Sequence, residues 1–317
     1  MRVGVLMGGW NSEREVSLQS GSNVAACLKQ AGYDVVALIL DRKDRDERRL
    51  AARLKRARLD AAFIVLHGGY GEDGGIQTLL EKMDMPYTGS GPLACGLAIH
   101  KGCTKLVFEA NGIPTAPWKA WHRKEFKVAQ LSREIRLKLP LVVKPADSGS
   151  AVGVSIVRKA SQLLPAFRKA FRESDWVMAE KFVKGVEITV GVLGRQCLPV
   201  VEIVPKNEFY DYDAKYSPGK SDHLIPARLS SQIRRRVQQT ALSAGESLGC
   251  TDYYRVDMIV PPKGAPQVLE VNTVPGFTGT SLFPESARAA GIGAARLVRQ
   301  LVSMAMRKKS KKGKQAA

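Results

Sequence analysis

Residues 61–69 read AAFIVLHGG, an apolar run that stops on two glycines. VGVLMGG at residues 3–9 has the same form, and DVVALIL at residues 34–40 is a third apolar run without the glycines. Runs that are apolar throughout, without alternation, suit strands buried on both faces, as in a parallel sheet covered by helices. Between and after them lie amphipathic stretches at residues 15–30, 48–58 and 76–83. That alternation predicts an α/β unit over residues 1–100 with a Rossmann-like parallel sheet. Such sheets bind ligands at the carboxyl ends of their strands, so the loops at Gly8-Gly9 and Gly68-Gly69 are candidate sites.

From about residue 101 the rhythm becomes α+β. A helix is expected over 103–111, a strand in LPLVVKP (139–145), a glycine-rich turn over 148–153, and a strand in GVSIV (153–157). A helix over 161–173 and the strand WVMAEKFV (176–183) complete a unit spanning 101–187. A third unit, 188–306, opens with VEITVGVLG and LPVVEIV, which pair across a turn at 194–196. It continues with a tyrosine-rich segment at 206–226, too long for a tight turn and read as a functional loop. A helix over 231–248 and the strands YRVDMIV and QVLEVN follow. Residues 307–317 read as a basic disordered tail, and the chain holds no internal repeat.

The bulk composition bounds the function. The chain has 317 residues, 44% hydrophobic and 25% charged, the balance of a soluble protein large enough for several cores. No apolar run is long enough to cross a bilayer, and MRVGVLMGG reads as a first strand instead of a signal peptide. A cytoplasmic protein without membrane insertion is therefore expected. Five scattered cysteines, never spaced as paired metal ligands, read as reduced and mostly buried. Of the net charge of +19, six units sit between Arg307 and Lys314, and five net units lie between Arg42 and Asp60. Neither stretch interleaves aromatics, so no specific nucleic-acid partner is expected, and both read as solvated surface.

Several residues carry candidate chemistry. Arg255 with Asp257, and Glu270 with Asn272, lie two apart on their strands, so each pair projects from one face. If the strands are neighbours, two carboxylates and an amide oxygen converge, a donor set that suits Mg²⁺ shared with phosphates. The bland alternative is the wet face of an antiparallel sheet. Lys144 ends a strand just before the turn at 148–153, whose backbone N–H groups suit phosphate oxygens, although glycines are also common in hairpins. Glu13 follows a Gly-Gly turn, where Ser12 is placed to cap the next helix. His67 stands beside Gly68-Gly69 at a strand end, although a lone histidine is more often structural. Tyr210, Tyr212 and Tyr216 flank Lys215 in the long loop, a lid or a packed surface segment.

Taken together and in order, GGWNSEREVSLQSG, LHGGYGEDGGIQTLLE, PYTGSG, LPLVVKPADSGSAVG, EKFVKGVEITV, FYDYDAKY, RVDM and LEVNTVPGFTGTSLFP strongly resemble the D-alanine-D-alanine ligases of the ATP-grasp superfamily. The resemblance covers nearly all of residues 1–306. It implies a two-part ATP-grasp fold after the N-terminal unit, and ATP-dependent ligation of two D-alanines through a D-alanyl phosphate, for peptidoglycan precursors. It also implies two Mg²⁺ ions, replaceable by Mn²⁺, and a homodimer.

By position, Lys101 and Lys144 match the phosphate-binding lysines. Ser148, Gly149 and Ala151 belong to the loop over the γ-phosphate, with Lys215 also on the nucleotide. Glu180, Lys181 and Val183 match the adenine-binding strand, Glu187 the ribose carboxylate, and Asp257, Glu270 and Asn272 the metal ligands. Glu13 matches the group that holds the first D-alanine's ammonium, in a trio with Ser150 and Tyr216. His67 matches the partner of that substrate's carboxylate, and Ser281 and Leu282 the site of the second. Arg255 and the Gly276 backbone match the oxyanion pair.

His100, Asp147 and Ala151 depart from the family pattern, and residues 251–254 are unusual ahead of Arg255. Two rival readings remain: a D-lactate-using relative, against which Tyr216 argues, and a catalytically idle paralogue whose basic tail binds nucleic acid or anionic lipid, against which the retention of Lys144, Arg255, Asp257, Glu270 and Asn272 argues. The preferred reading expects removal of residues 307–317 to leave activity nearly unchanged.

Overall fold

The structure, a computed structural model, describes residues 1–131, 135, 137–149, 152–205 and 221–315. The N-terminal unit holds strands β1 (Arg2–Gly8), β2 (Asp34–Leu40) and β3 (Ala61–Ile64), parallel and ordered β2-β1-β3. From Val3 onward β1 is buried, as expected for a strand with elements on both faces. Helix α1 (Arg14–Gln30) buries Val16, Ser20, Val24 and Leu28, each four residues apart, against that sheet. Ser17 fastens the start of α1 to the strand ends: its hydroxyl donates to the Val65 carbonyl at 2.6 Å and accepts from Gly8 N at 2.9 Å. Ser12 does not cap α1 as expected. The cap position is Glu13, whose N–H donates at 3.0 Å to Asn11 Oδ1, so the turn is closed by the amide one residue earlier. Helices α2 (Glu47–Ala57) and α3 (Gly75–Lys82) complete the unit, and α4 (Pro92–Ile99) and α5 (Lys101–Ala110) lead out of it.

The central unit is an antiparallel sheet ordered β4-β7-β5-β6, from β4 (Trp118–His122), β5 (Leu141–Pro145), β6 (Ser155–Val157) and β7 (Trp176–Lys181). Trp121, Phe167, Val143 and Val177 form its core beneath α6 (Leu163–Ala170). That helix is shorter than the sequence suggested, because residues 160–162 form a 3₁₀ turn that leads into it.

In the third unit β8 (Val186–Leu193) pairs with β9 (Gln196–Cys197) and β10 (Val201–Pro205) as the hairpin reading predicted. With β11 (Ser221–Leu224), β12 (Tyr253–Val260) and β13 (Gln267–Asn272) the sheet order is β11-β10-β8-β12-β13. Helices α7 (Ser231–Ser247) and α8 (Leu282–Ala289) pack against it, and α9 (Ala294–Gln315) packs on α1, β3 and α8.

Residues 251–254 join the first and third units. Successive strand residues face opposite ways. Tyr253 therefore enters the core of the N-terminal unit beside Phe277 and Phe283, and Tyr254 enters the core under α7. Two adjacent large aromatics are what such a junction needs.

Two expectations are corrected. Residues 307–315 are not a separate disordered tail, since α9 runs through them to Gln315. Lys308 Nζ lies 2.7 Å from Asp252 Oδ2 and donates at 2.6 Å to the Gly89 carbonyl, so the helix is anchored past Arg307. Of the five free cysteines only Cys95 is buried; the other four are half-buried. Among the described residues no helix is long and apolar enough to cross a membrane, and no cluster of three His, Cys, Asp or Glu side chains could hold a metal.

Candidate active site

Two cavities lie end to end. The larger, about 420 Å³, opens between the central sheet and the third sheet. Val142, Phe182, Val183, Ile259 and Leu269 supply apolar walls, while Lys101, Lys144, Glu187, Asp257 and Glu270 supply charge. A smaller one, about 80 Å³, lies between the N-terminal and third units and is lined by Glu13, His67, Glu72, Arg255, Asn272, Gly276 and Ser281. Glu270 lines both.

The wall between them is built by strand register. On β12 and β13, Arg255 stands opposite Asn272 and Asp257 opposite Glu270, so the four residues converge as their spacing predicted. Arg255 grips Asp257 with two parallel bonds, Nε to Oδ1 and Nη2 to Oδ2, both 2.9 Å. Asn272 Nδ2 donates at 3.1 Å to Oδ2, and Thr189 Oγ1 on β8 donates at 2.6 Å to Oδ1. Glu270 Oε2 lies 3.3 Å from Lys101 Nζ, which also donates at 2.7 Å to the Ser148 carbonyl. Lys101 therefore ties the phosphate-loop candidate to the acidic pair.

Lys144 ends β5 as expected and reaches Glu180 Oε1 on β7 at 2.5 Å. Glu180 is only 3% exposed, and its Oε2 lies 2.9 Å from Lys105 Nζ. Burial alone raises the Glu180 carboxyl, but the two ammonium groups overcome it and hold the acid down at about 2. Burial pushes the Lys105 ammonium down, against the pull of Glu180. Glu180 thus sits in the cavity wall as the centre of an ion triad. Lys181 and Val183, further along the same segment, line the cavity directly.

The small cavity takes its walls from loops at strand ends. Glu13 is buried, and its carboxylate is wedged between two glycines. A Cβ at Gly68, where φ is +65°, would lie 2.2 Å from Glu13 Oε2, and one at Gly149 would lie 3.0 Å from Oε1. Both glycines are the condition for the carboxylate's position. His67 is buried with Nε2 3.2 Å from Ser20 Oγ and Nδ1 3.5 Å from Glu72 Oε1. Ser20 Oγ also accepts from Phe277 N at 3.1 Å, which links the His67 loop to the Gly276 loop. Ser281 stands at the N-cap position of α8 without a side-chain bond to the helix, and its Oγ accepts instead from Thr278 N at 2.8 Å.

Of the expected residues, Ser150, Ala151, Lys215 and Tyr216 lie outside the described residues, as do Tyr210 and Tyr212. The others converge on the two cavities, with Glu180 turned to its lysines. Asn11, Ser20, Glu72, Lys105 and Thr189 were not singled out from the sequence. Asn11, Ser20, Glu72 and Thr189 fall inside quoted motifs, whereas nothing local to Lys105 marks it.

His100 explains one departure from the family pattern. It is the cap residue of α5, and its Nδ1 accepts from Cys103 N at 3.2 Å, the bond an aspartate would make there.

Comparison with known proteins places this geometry. Residues 107–303 match the family model described as D-ala D-ala ligase C-terminus, and residues 43–90 match the one described as D-ala D-ala ligase N-terminus. The chain belongs to the D-alanine–D-alanine ligase family. A D-alanine–D-alanine ligase of Geotalea uraniireducens is 49% identical over 304 residues, 96% of this chain and 95% of that one. One of Trichlorobacter lovleyi is 46% identical over 98% and 97% of the two chains. Among solved structures, a ligase of this name from Bacillus anthracis superimposes with a TM-score of 0.85 at 35% identity, covering 98% of this chain and 99% of that one. The same family member complexed with ATP gives 0.85 at 34% identity. The Rossmann-like unit followed by a two-part grasp is therefore the family's architecture.

Proposed function

We propose that this chain joins two D-alanines at the expense of ATP, with the nucleotide in the large cavity and both amino acids in the small one. Glu270 carries the reading: it lines both cavities, so a γ-phosphate at the inner end of the first stands next to a carboxylate bound in the second. The first D-alanine's carboxylate oxygen attacks the γ-phosphorus, ADP leaves, and D-alanyl phosphate forms. The second D-alanine's amine attacks the acyl carbon, and inorganic phosphate leaves as the peptide bond closes.

The protein's part is to position and neutralise. Glu13 holds the first ammonium group and His67 faces its carboxylate. The start of α8, at Ser281 and Leu282, takes the second carboxylate at a helix N-terminus, where N–H groups point outward. Arg255 stands beside the reacting carbonyl with the Gly276 backbone, and its grip on Asp257 fixes its plane. Lys101 and Lys144 bring positive charge to the phosphates.

Asp257, Glu270 and Asn272 offer hard oxygen donors in too small a number to enclose a cation, which fits Mg²⁺ completed by phosphate oxygens. Asn272 now donates its amide N–H to Asp257, so its oxygen is the atom left for a cation. A bound Mg²⁺ would neutralise charge on the transferring phosphoryl group. A cytoplasmic site of action and a homodimeric assembly complete the proposal; sedimentation at micromolar concentration tests the latter.

Phosphate release from ATP and Mg²⁺ with D-alanine, L-alanine, or D-alanine plus D-lactate, with products weighed by mass spectrometry, tests the function. D-alanine-dependent release that yields the dipeptide is expected. Depsipeptide at neutral pH points to D-lactate as second substrate, and no release with any substrate overturns the assignment.

A further inference from the structure

Lys105 takes no part in either cavity wall, yet its side chain is fully buried, 0% exposed, on α5. A lysine buried that deeply must be paired, and this one has three partners. Its ammonium donates at 2.6 Å to Thr115 Oγ1 and at 3.1 Å to the Ala116 carbonyl, and it lies 2.9 Å from Glu180 Oε2. Thr115 in turn donates at 2.9 Å to the Val268 carbonyl on β13, two residues before Glu270. The other oxygen of Glu180 holds Lys144, which does line the nucleotide cavity.

A charge count shows what the arrangement does. Glu180 and Lys144 alone would cancel, leaving a neutral pair at the cavity wall. With Lys105 behind the carboxylate, the triad carries one net positive charge, and the only ammonium of the triad that faces the cavity is that of Lys144. We propose that Lys105 is a positioning residue for the nucleotide: its ammonium, 2.9 Å from the rear oxygen of Glu180, offsets that carboxylate's charge, so that Lys144 is aimed into the cavity with its own charge available to a phosphate oxygen.

The proposal rests on the nucleotide site proposed above, so Lys144→Met is measured alongside. Steady-state kinetics of Lys105→Met are expected to show an ATP KM raised about tenfold, the scale of one charge-assisted contact, with kcat and the D-alanine KM within about threefold of the wild type. In a Glu180→Gln background the same substitution is expected to change the ATP KM less than about threefold, because the carboxylate that Lys105 offsets is gone. A merely structural lysine would not show that dependence on Glu180.

Equal rises in both KM values, a fall in kcat at constant ATP KM, or a full effect that persists in Glu180→Gln overturns the proposal. If Lys105→Met does not fold, Thr115→Val, which removes the hydroxyl at 2.6 Å, is read the same way. It is expected to raise the ATP KM alone by about two- to threefold, and an unchanged value overturns the proposal. An ATP KM unaffected by Lys144→Met overturns the nucleotide site itself, whereas a response of Lys144→Met without one of Lys105→Met overturns only the role of Lys105.

Discussion

At the scale of single residues, the site concentrates opposite charges and lets each cancel part of another's cost. Glu270 faces both cavities and is paired with Lys101 at 3.3 Å. Glu270→Gln keeps the shape and removes the charge. It is expected to lower kcat by about 10² or more with the fold intact, as measured by phosphate release beside a circular dichroism melt. Glu180 gives a pH prediction. Its acid is held at about 2, below the ordinary 4.5, so its contribution to stability is present above pH 4.5 and is lost as pH falls towards 2. The melting-temperature gap between wild type and Glu180→Gln should therefore be widest above pH 4.5 and narrow below it. A gap independent of pH would show that the carboxylate is not ionised by its lysines.

Elements matter here through their ends. The carboxyl ends of β1 and β3 carry Glu13 and His67, and the N-terminus of α8 carries Ser281, so three backbone termini face one small space. The loop before α8 is packed to contact. A Cβ at Gly276 would lie 2.8 Å from Ser281 Oγ, which is itself held by Thr278. Gly276→Ala must displace that hydroxyl. The expected result is a KM for the second D-alanine raised about tenfold, with the ATP KM unchanged, resolved by fitting initial rates over both substrate concentrations. An unchanged second-site KM would mean that α8 does not seat that substrate.

For the whole molecule, the question is what holds the N-terminal unit on the third unit, since the small cavity exists only between them. Asp252, at φ +60°, accepts at 3.3 Å from Gly89 N in the first unit and pairs with Lys308 of α9 at 2.7 Å. Thr251 and Ser90 exchange two further bonds, 3.0 and 3.2 Å long. Lys308→Met should lower the melting temperature by about 1–3 °C, the effect of a half-exposed pair worth about 1 kcal/mol. Removal of residues 309–317 should leave kcat/KM within about twofold, and a larger loss would give the basic end a part in catalysis. The sequence-based expectation of a dispensable tail from residue 307 thus moves to begin beyond Lys308.

Much of this protein was legible without a fold. Unbroken apolar runs that end in glycine pairs marked the parallel sheet and its ligand-binding ends, because burial on both faces leaves no room for polar alternation. The two-residue spacing in RVDM and LEVN placed Arg255, Asp257, Glu270 and Asn272 on common strand faces, since strand geometry is local. Register was not legible. That Asp257 stands opposite Glu270, and that Glu270 separates two cavities, depends on pairing between distant segments. The roles of Lys105, Thr189 and Lys308 were invisible for the same reason: Lys105 has an unremarkable neighbourhood, Thr189 and Lys308 lie in stretches marked for other reasons, and the partners Glu180, Asp257 and Asp252 stand dozens of residues away along the chain. Sequence by itself determined the fold class and which residues are candidates for the chemistry; tertiary structure decided which charges meet, because Coulomb energy depends on distance in space and not along the chain.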